Sequence, residues 1–232
     1  GTGFITQGRS QITGWLYDAL KNNKSYDVMV SELMNPNKDS EGFIKGIQWR
    51  GLVNASQTTE MQAAQNIGQS LMGTNVKCAS CHNSFVSNLT LDQVYGFASI
   101  FSEQPLELNR CDKPIGKIAE VNFLYPELGN VDGETLDDRL LKLSEVMISR
   151  DNGRLYRTIT NRIWDRLMGR GIIEPIDEMD NTPWSGELLD WLAADFIDSG
   201  ANLKHLIKQI MTSKAYQLPT VSYNNVANIK ND

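Results

Sequence analysis

The most constraining feature of the sequence is a cluster of thiol and imidazole groups in one short segment. Cys78, Cys81 and His82 lie within five residues, whereas the whole chain of 232 residues has only three Cys and two His. Two thiols three residues apart can reach the two vinyl groups of one porphyrin, and the adjoining His then lies beneath the iron. The C-x-x-C-H spacing therefore predicts one covalently bound haem c, attached through Cys78 and Cys81 and ligated by His82.

Other uses of this segment need partners that the chain supplies poorly. A structural zinc site takes four ligands, and beyond the motif only Cys111, His205 and acidic side chains remain. A thioredoxin-like C-x-x-C is expected in a βαβ setting, which the pattern lacks. A plain disulfide between Cys78 and Cys81 would suit an exported chain without haem. The scarcity of other Cys and His favours haem over these alternatives.

A second iron ligand is less well defined by the sequence. His205 is the only other histidine and is our first choice, although a surface histidine fits the pattern equally well. Met72 is the closest of eight methionines to the motif, and a Met at helical spacing is more often part of a core than a ligand. An open sixth position is the third alternative. For the leftover Cys111 we expect a buried small side chain, with an intermolecular bridge as the alternative.

Four arginines recur at multiples of four residues, so they share one helix face. They are Arg154, Arg162, Arg166 and Arg170. Arg162 and Arg166 are candidates to neutralise haem propionates, because a guanidinium matches a carboxylate with two hydrogen bonds. The alternative, which we favour, is a solvated face paired with the acidic residues of segment 174–180.

Helix start and stop signals dominate the remaining sequence. Apolar residues recur at helical spacing after a series of candidate N-caps: Ser10, Ser25, Thr59, Thr90, Thr135, Asn152, Thr182 and Asn202. Glycines suited to helix ends stand at Gly73, Gly169 and Gly200. No strand pair and no internal repeat is recognisable. We therefore predict an all-α, helical, non-repeat fold with long irregular loops, in which the c-type haem lies between helices.

Proline and glycine suggest how the chain is divided. We predict a haem-attachment region at 1–104, a connecting loop at 105–134, a helical C-terminal domain at 135–218 and a frayed tail at 219–232. Acidic residues exceed basic ones, 28 to 22, for a net charge of −6. That balance argues against a nucleic-acid binder and is compatible with a basic partner protein. No apolar run of about 18 residues is present, so we expect no transmembrane segment in this chain.

Two segments resemble the planctomycete-specific cytochrome c family and the planctomycete-specific domain that follows it. The first runs from Leu71 to Asn83 around the haem motif, with Tyr95-Gly96 after it. The second begins at Asn161-Arg162-Ile163-Trp164 and continues through 187–193 to 212–217. The resemblance implies an exported bacterial haem protein, here in a shortened form. Many members carry a second His where this chain has Ser84, so a ligand at that position is not available here.

These observations lead to one function and two alternatives. We expect a monohaem c-type cytochrome that transfers electrons to or from a redox partner protein, alone or as a subunit of a larger extracytoplasmic redox or membrane complex. We expect the protein to be located in the periplasm. If the complex is membrane-bound, the protein would be associated with that membrane. The alternatives are a haem enzyme component of the peroxidase or dehydrogenase type, and a structural subunit in which haem acts as a folding staple. No nucleophile, base and acid set is visible, so a hydrolytic enzyme is not expected.

Overall fold

The computed structural model describes residues 6–43 and 54–219, and these form a mainly helical protein. The helices within these ranges are α1 Thr6–Lys21, α2 Tyr26–Met34, α3 Thr59–Met72, α4 Leu91–Ser99, α5 Leu136–Ile148, α6 Gly153–Met168, α7 Gly186–Asp198, α8 Leu203–Met211 and α9 Lys214–Gln217. Two short antiparallel strands, β1 Glu107–Arg110 and β2 Lys113–Ile118, stand between α4 and α5. The all-α prediction is confirmed, and the described part of the chain contains no closed sheet. It also contains no helix long and apolar enough to cross a membrane.

Several helix ends lie where the sequence places them, because local hydrogen bonds fix them. Thr90 and Gln93 form a capping box at the start of α4, and the side chain of Asn152 accepts from the backbone N–H of Leu155 in α6. Gly73 and Gly169 end α3 and α6 with φ of 56° and 79°. This left-handed conformation costs glycine little, which explains its place at helix ends.

Four predicted boundaries are wrong. The N-cap of α3 is Thr58, whose hydroxyl accepts from the N–H of Met61, and not Thr59. Helix α1 begins at Thr6, ahead of Ser10, because polar residues can extend a helix without apolar periodicity. The predicted last helix from Asn202 to residue 215 is split, since Ser213 accepts from the N–H of Tyr216 and starts α9.

The fourth wrong boundary concerns Thr182, which does not cap α7. Ser185 does, by accepting from the backbone N–H of Leu188. The segment before it is held by Trp184, whose backbone N–H donates to the carbonyl of Ile172 and whose indole N–H donates to that of Gly171. These long-range bonds keep residues 182–184 out of the helix.

The β1–β2 hairpin also departs from the sequence prediction, which found no strand pair. Arg110 pairs with Lys113 across a two-residue turn of Cys111 and Asp112. All six residues of β2 are exposed, so no alternation of apolar and polar side chains marks this strand in the sequence. The hairpin lies in the stretch predicted as a connecting loop.

One hydrophobic cluster runs through most of the described chain and holds the helices together. Helix α2 packs against α5, α3 against α4 and α6, and α6 against α7. The largest fully buried side chains include Phe97, Phe123, Phe196, Met72 and Met147. Residues before 105 and after 134 thus contribute to the same cluster. The division into domains stays a prediction, and most of the predicted frayed tail, residues 220–232, lies outside the described residues.

Candidate functional site

The C-x-x-C-H motif forms a tight surface turn between α3 and α4. The backbone N–H groups of Cys81 and His82 both donate to the carbonyl of Cys78, at 3.2 Å each. Ala79 and Ser80 are buried, whereas Cys78 is exposed and Cys81 and His82 are half-buried. One side of the turn, formed by Ala79 and Ser80, therefore packs against the protein. The other side carries the two thiols.

Ser80 fixes this turn to its surroundings. Its hydroxyl donates to the carbonyl of Lys77 at 2.6 Å and accepts from Nε2 of Gln65 on α3 at 3.1 Å. The turn also packs against α4. Because both flanking helices hold it, the motif has a defined backbone before any group is attached to it.

His82 is oriented by a bond from its own ring. Its Nδ1 lies 2.7 Å from the carbonyl oxygen of Asn83. A carbonyl oxygen only accepts, so Nδ1 carries the proton and the lone pair is on Nε2. Such a bond to the second ring nitrogen fixes the tautomer and the ring plane of an imidazole that ligates a metal.

Two exposed apolar residues follow the motif, and sequence reasoning did not single them out. Phe85 is 89% exposed and Val86 is 84% exposed. The Phe85 ring lies 4.6 Å from the His82 ring, centroid to centroid. The signal that could have revealed them is a pair of apolar residues within an otherwise polar run of Ser and Asn. Contiguous exposed apolar surface is typical of sites that contact another molecule.

The loop that carries these two residues is well fixed. The hydroxyl of Ser84 accepts from the backbone N–H groups of Val86 and Ser87, and the N–H of Ser84 donates to the carbonyl of Leu89. Asn83 closes the loop at its far end by accepting from the N–H of Leu91 at 2.9 Å. The exposure of Phe85 and Val86 thus follows from a defined backbone.

Cys111 contradicts the expectation of a buried small side chain, because it is exposed. It is the first turn residue of the β1–β2 hairpin, and its backbone N–H donates to the carbonyl of Cys81 at 2.9 Å. The fold therefore brings the third cysteine of the chain beside the motif.

Tyr95 on α4 is a buried residue with a polar group, and Cys81 of the motif affects its pKa. Its hydroxyl has no hydrogen-bond partner of normal geometry among the described residues. Burial raises the pKa of Tyr95 above its ordinary value; the neighbouring Asn109 offsets part of this rise, and the charge of a Cys81 thiolate adds to it. The buried hydroxyl is therefore harder to ionise than that of an exposed tyrosine.

The two residues considered as second iron ligands, His205 and Met72, contact other parts of the protein. His205 lies on α8, which packs against α6, α7 and α9, and its Nε2 is 2.8 Å from a carboxylate oxygen of Asp195. Met72 is fully buried in the core. Within residues 6–43 and 54–219, no three His, Cys, Asp or Glu side chains are grouped so as to hold a metal ion. A role for His205 as an iron ligand together with His82 stays a prediction.

Two of the four arginines in the predicted row are paired with the acidic segment that follows α6. Arg154 forms an ion pair with Asp180, and Arg162 forms one with Asp177. Arg166 is exposed and makes no ion pair with any described residue. The pairing that we favoured from the sequence is thus present, and propionate binding by Arg162 and Arg166 stays a prediction.

Comparison with known families gives two matches that divide the chain. The family PSCyt2, described as a protein of unknown function (DUF1549), matches residues 3–105. The family PSD1, described as a protein of unknown function (DUF1553), matches residues 139–232. Both are associated with planctomycete cytochrome c proteins, and the first match includes the motif at 78–82. No curated protein and no solved structure gives a significant match.

Proposed function

We propose that the chain attaches one haem c through the thiols of Cys78 and Cys81, with Nε2 of His82 as an iron ligand, and transfers electrons outside the cytoplasm. The observation that carries the proposal is the state of His82. Its Nδ1 is engaged by Asn83, so the nitrogen left with a lone pair is the one that iron needs.

The thiols also meet the requirements of covalent attachment. Each must reach a vinyl group from outside the packed core, and Cys78 is exposed while Cys81 is half-buried. Ala79 and Ser80 are buried and hold the turn, so both thiols start from a fixed backbone. When bound, the haem iron supplies one-electron chemistry, and the protein sets its potential through ligation and burial.

Two side chains that follow the motif expose apolar surface that a porphyrin would cover. Phe85 and Val86 expose apolar area next to His82, and an apolar ring placed there would remove this area from water. The residues present therefore fit the group.

The position of the motif favours electron transfer over catalysis. The attachment thiols lie on a surface turn, so a haem held there would be accessible to a partner protein. The acidic balance of the chain favours a partner with a basic docking face. A periplasmic place follows from the family resemblance, since haem c proteins of this kind are exported.

The test is expression of the full chain with an export signal in a bacterium that has a cytochrome c maturation system. We expect a reduced spectrum with a c-type α band and haem that stays on the protein through acid-acetone extraction. Haem that is extracted, or a purified protein without haem under these conditions, would refute the proposal. Added carbon monoxide then separates a carrier from a haem enzyme, because only an open iron face binds it.

Matched variants show whether the motif itself is responsible. Cys78→Ser with Cys81→Ser should abolish covalent haem, and His82→Ala should remove the normal spectrum of the reduced protein. Cys111→Ser is the control, because it removes an exposed thiol that lies outside the motif. Equal haem retention by the double variant and the control would contradict the assignment.

A further inference from the structure

We propose that Cys111 forms a disulfide with Cys81 in the haem-free chain, so that Cys111 competes with haem for one of the two attachment thiols. The disulfide rests only on the relative positions of Cys81 and Cys111. The competition rests also on the proposed function, since it supposes that Cys81 attaches haem.

The first support is the distance between the two backbones. The N–H of Cys111 donates to the carbonyl oxygen of Cys81 at 2.9 Å. The covalent distances from each Cα to the bonded atom concerned are about 2.4 Å for the oxygen and about 1.5 Å for the nitrogen. The two Cα atoms are therefore at most about 6.8 Å apart, which lies within the range that disulfides span.

The second support is the conformation of Cys111. Its φ is 55°, in the left-handed region, and it is the first residue of a two-residue hairpin turn. Turns of this kind favour glycine at that position, because a side chain there is strained. A thiol-bearing residue stands there instead, and strained positions of this kind are often functional.

The third support is that the turn is held in place from two sides. Cys111 bonds to the motif, and the carboxylate of its neighbour Asp112 accepts from the backbone N–H of Ala55 at 3.3 Å. The backbones of Cys111 and Cys81 are thus joined by a direct hydrogen bond, and neither residue lies on a free loop. Two thiols held at this spacing have a high effective concentration for one another.

The thiols are also accessible to an oxidant. Cys111 and Cys78 are exposed and Cys81 is half-buried, and all three are free thiols in the structure. A small-molecule disulfide such as oxidised glutathione first forms a mixed disulfide with one protein thiol and releases one small thiol. The second protein thiol then displaces the other small thiol. In sum the protein loses two electrons and two protons, which the reagent takes up as two thiols.

The bridge would block haem attachment at Cys81. A sulfur that is already bonded to Cys111 cannot add to a vinyl group, so Cys81 must be reduced first. Cys78 remains free in this state. Attachment of haem to the wild-type chain would then depend on a reductant more strongly than attachment to a chain without Cys111.

The disulfide is tested on the full chain made in the cytoplasm without haem. The protein is treated with oxidised glutathione, free thiols are alkylated, and tryptic peptides are analysed by mass spectrometry. Cleavage after Lys77 and Arg110 places Cys78 and Cys81 on one peptide and Cys111 on the next. We expect a cross-link between these two peptides in the wild type and in Cys78→Ser, and its loss in Cys81→Ser and Cys111→Ser.

Other pairings would overturn the disulfide. They include a cross-link that survives in Cys81→Ser, a Cys78–Cys81 bridge as the main product, and Cys111 found only as a glutathione adduct or in a dimer. These outcomes leave the haem proposal standing.

The competition is tested separately, by haem attachment with and without reductant. We expect the wild type to gain several-fold more haem when reductant is added, and Cys111→Ser to gain much less. An equal gain in both would overturn the competition. Failure of both chains to attach haem under reductant would instead refute the proposed function, while the peptide result would still decide the disulfide.

Discussion

Arg162 and Asp177 form an ion pair in which Nε and Nη2 of the guanidinium lie 2.7 and 2.6 Å from one carboxylate oxygen. The same guanidinium donates to the carbonyls of Gln69 and Ser70 in the last turn of α3. The final carbonyls of a helix have no partner within the helix, so a side-chain donor is valuable there. Arg162 therefore links α6, the end of α3 and the segment that follows α6.

Replacement of Arg162 by Ala should weaken the fold without touching the motif. The change removes these bonds and leaves part of the α3 end without donors, for an expected loss of about 2 kcal/mol in the free energy of unfolding. For a chain of this size that corresponds to a fall in Tm of about 4–8 °C. Arg166→Ala, on the exposed side of the same helix, should change the stability by less than about 0.5 kcal/mol. Thermal unfolding measures both, and equal losses would contradict the role given to Arg162.

Gly73 should tolerate substitution less well than Gly169, although both end a helix with positive φ. A Cβ on Gly73 would lie 2.5 Å from Cγ of Met179 and 3.1 Å from Oγ1 of Thr158, whereas a Cβ on Gly169 meets nothing within 4 Å. Gly169→Ala should cost about 1 kcal/mol from backbone strain alone, and Gly73→Ala should cost at least about 1 kcal/mol more because Met179 must move. Urea unfolding of the two variants compares them. Similar midpoints would show that the space beside Gly73 adapts freely.

Asn161 should be one of the most sensitive polar positions in the described chain. It is fully buried, and its side-chain oxygen accepts from the N–H groups of Ile172 and Ile173, while its amide donates to the carbonyls of Ile173 and Ile176. Asn161→Ala leaves these buried groups without partners, at a cost of about 3 kcal/mol. Asn181→Ala removes one exposed bond to the carbonyl of Glu174 and should cost less than about 1 kcal/mol. A smaller loss at Asn161 than at Asn181, by urea unfolding, would reverse this ranking.

Stability should fall at alkaline pH, and Tyr156 should account for part of the fall. Burial raises the pKa of Tyr156 to about 12 from its usual 10. The unfolded chain therefore loses its phenolic proton first, so this contribution to stability is complete below pH 10 and is lost as the pH rises toward 12.

The measurement is the free energy of unfolding between pH 8 and pH 11, values that bracket the start of this loss. Tyr156→Phe should show a shallower decline than the wild type. At pH 8 it should be less stable than the wild type by about 1 kcal/mol, because the Tyr156 hydroxyl donates to the carbonyl of Ile148 at 2.8 Å, and this gap should narrow toward pH 11. Tyr17→Phe, which removes an exposed hydroxyl, is the control and should keep the wild-type slope. If the free energy of unfolding of Tyr156→Phe falls with pH as steeply as that of the wild type, the titration of Tyr156 does not account for the fall.

Prediction from sequence succeeded where the decisive bonds are local. Thr90 caps α4 through hydrogen bonds with Gln93, three positions away, and Gly73 and Gly169 act through their own backbone angles. At one of the wrong boundaries, distant bonds decide. Thr182 does not cap α7, because hydrogen bonds from Trp184 to the carbonyls of residues 171–172 keep this segment out of the helix. The hairpin went unrecognised because β2 is exposed on both faces and so has no apolar pattern.

For the candidate site, the sequence by itself determined the set of groups at 78–82 and their spacing, because three reactive side chains in five residues meet whatever the rest of the chain does. Only the tertiary structure decided the surroundings of those groups. It brought Cys111 beside Cys81 through a hairpin turn, exposed Phe85 and Val86, and paired His205 with Asp195. Apart from the Phe85–Val86 loop, which closes on itself, these contacts join residues distant in sequence or separate elements. Packing and long-range hydrogen bonds fix them, and no local pattern in the sequence records them.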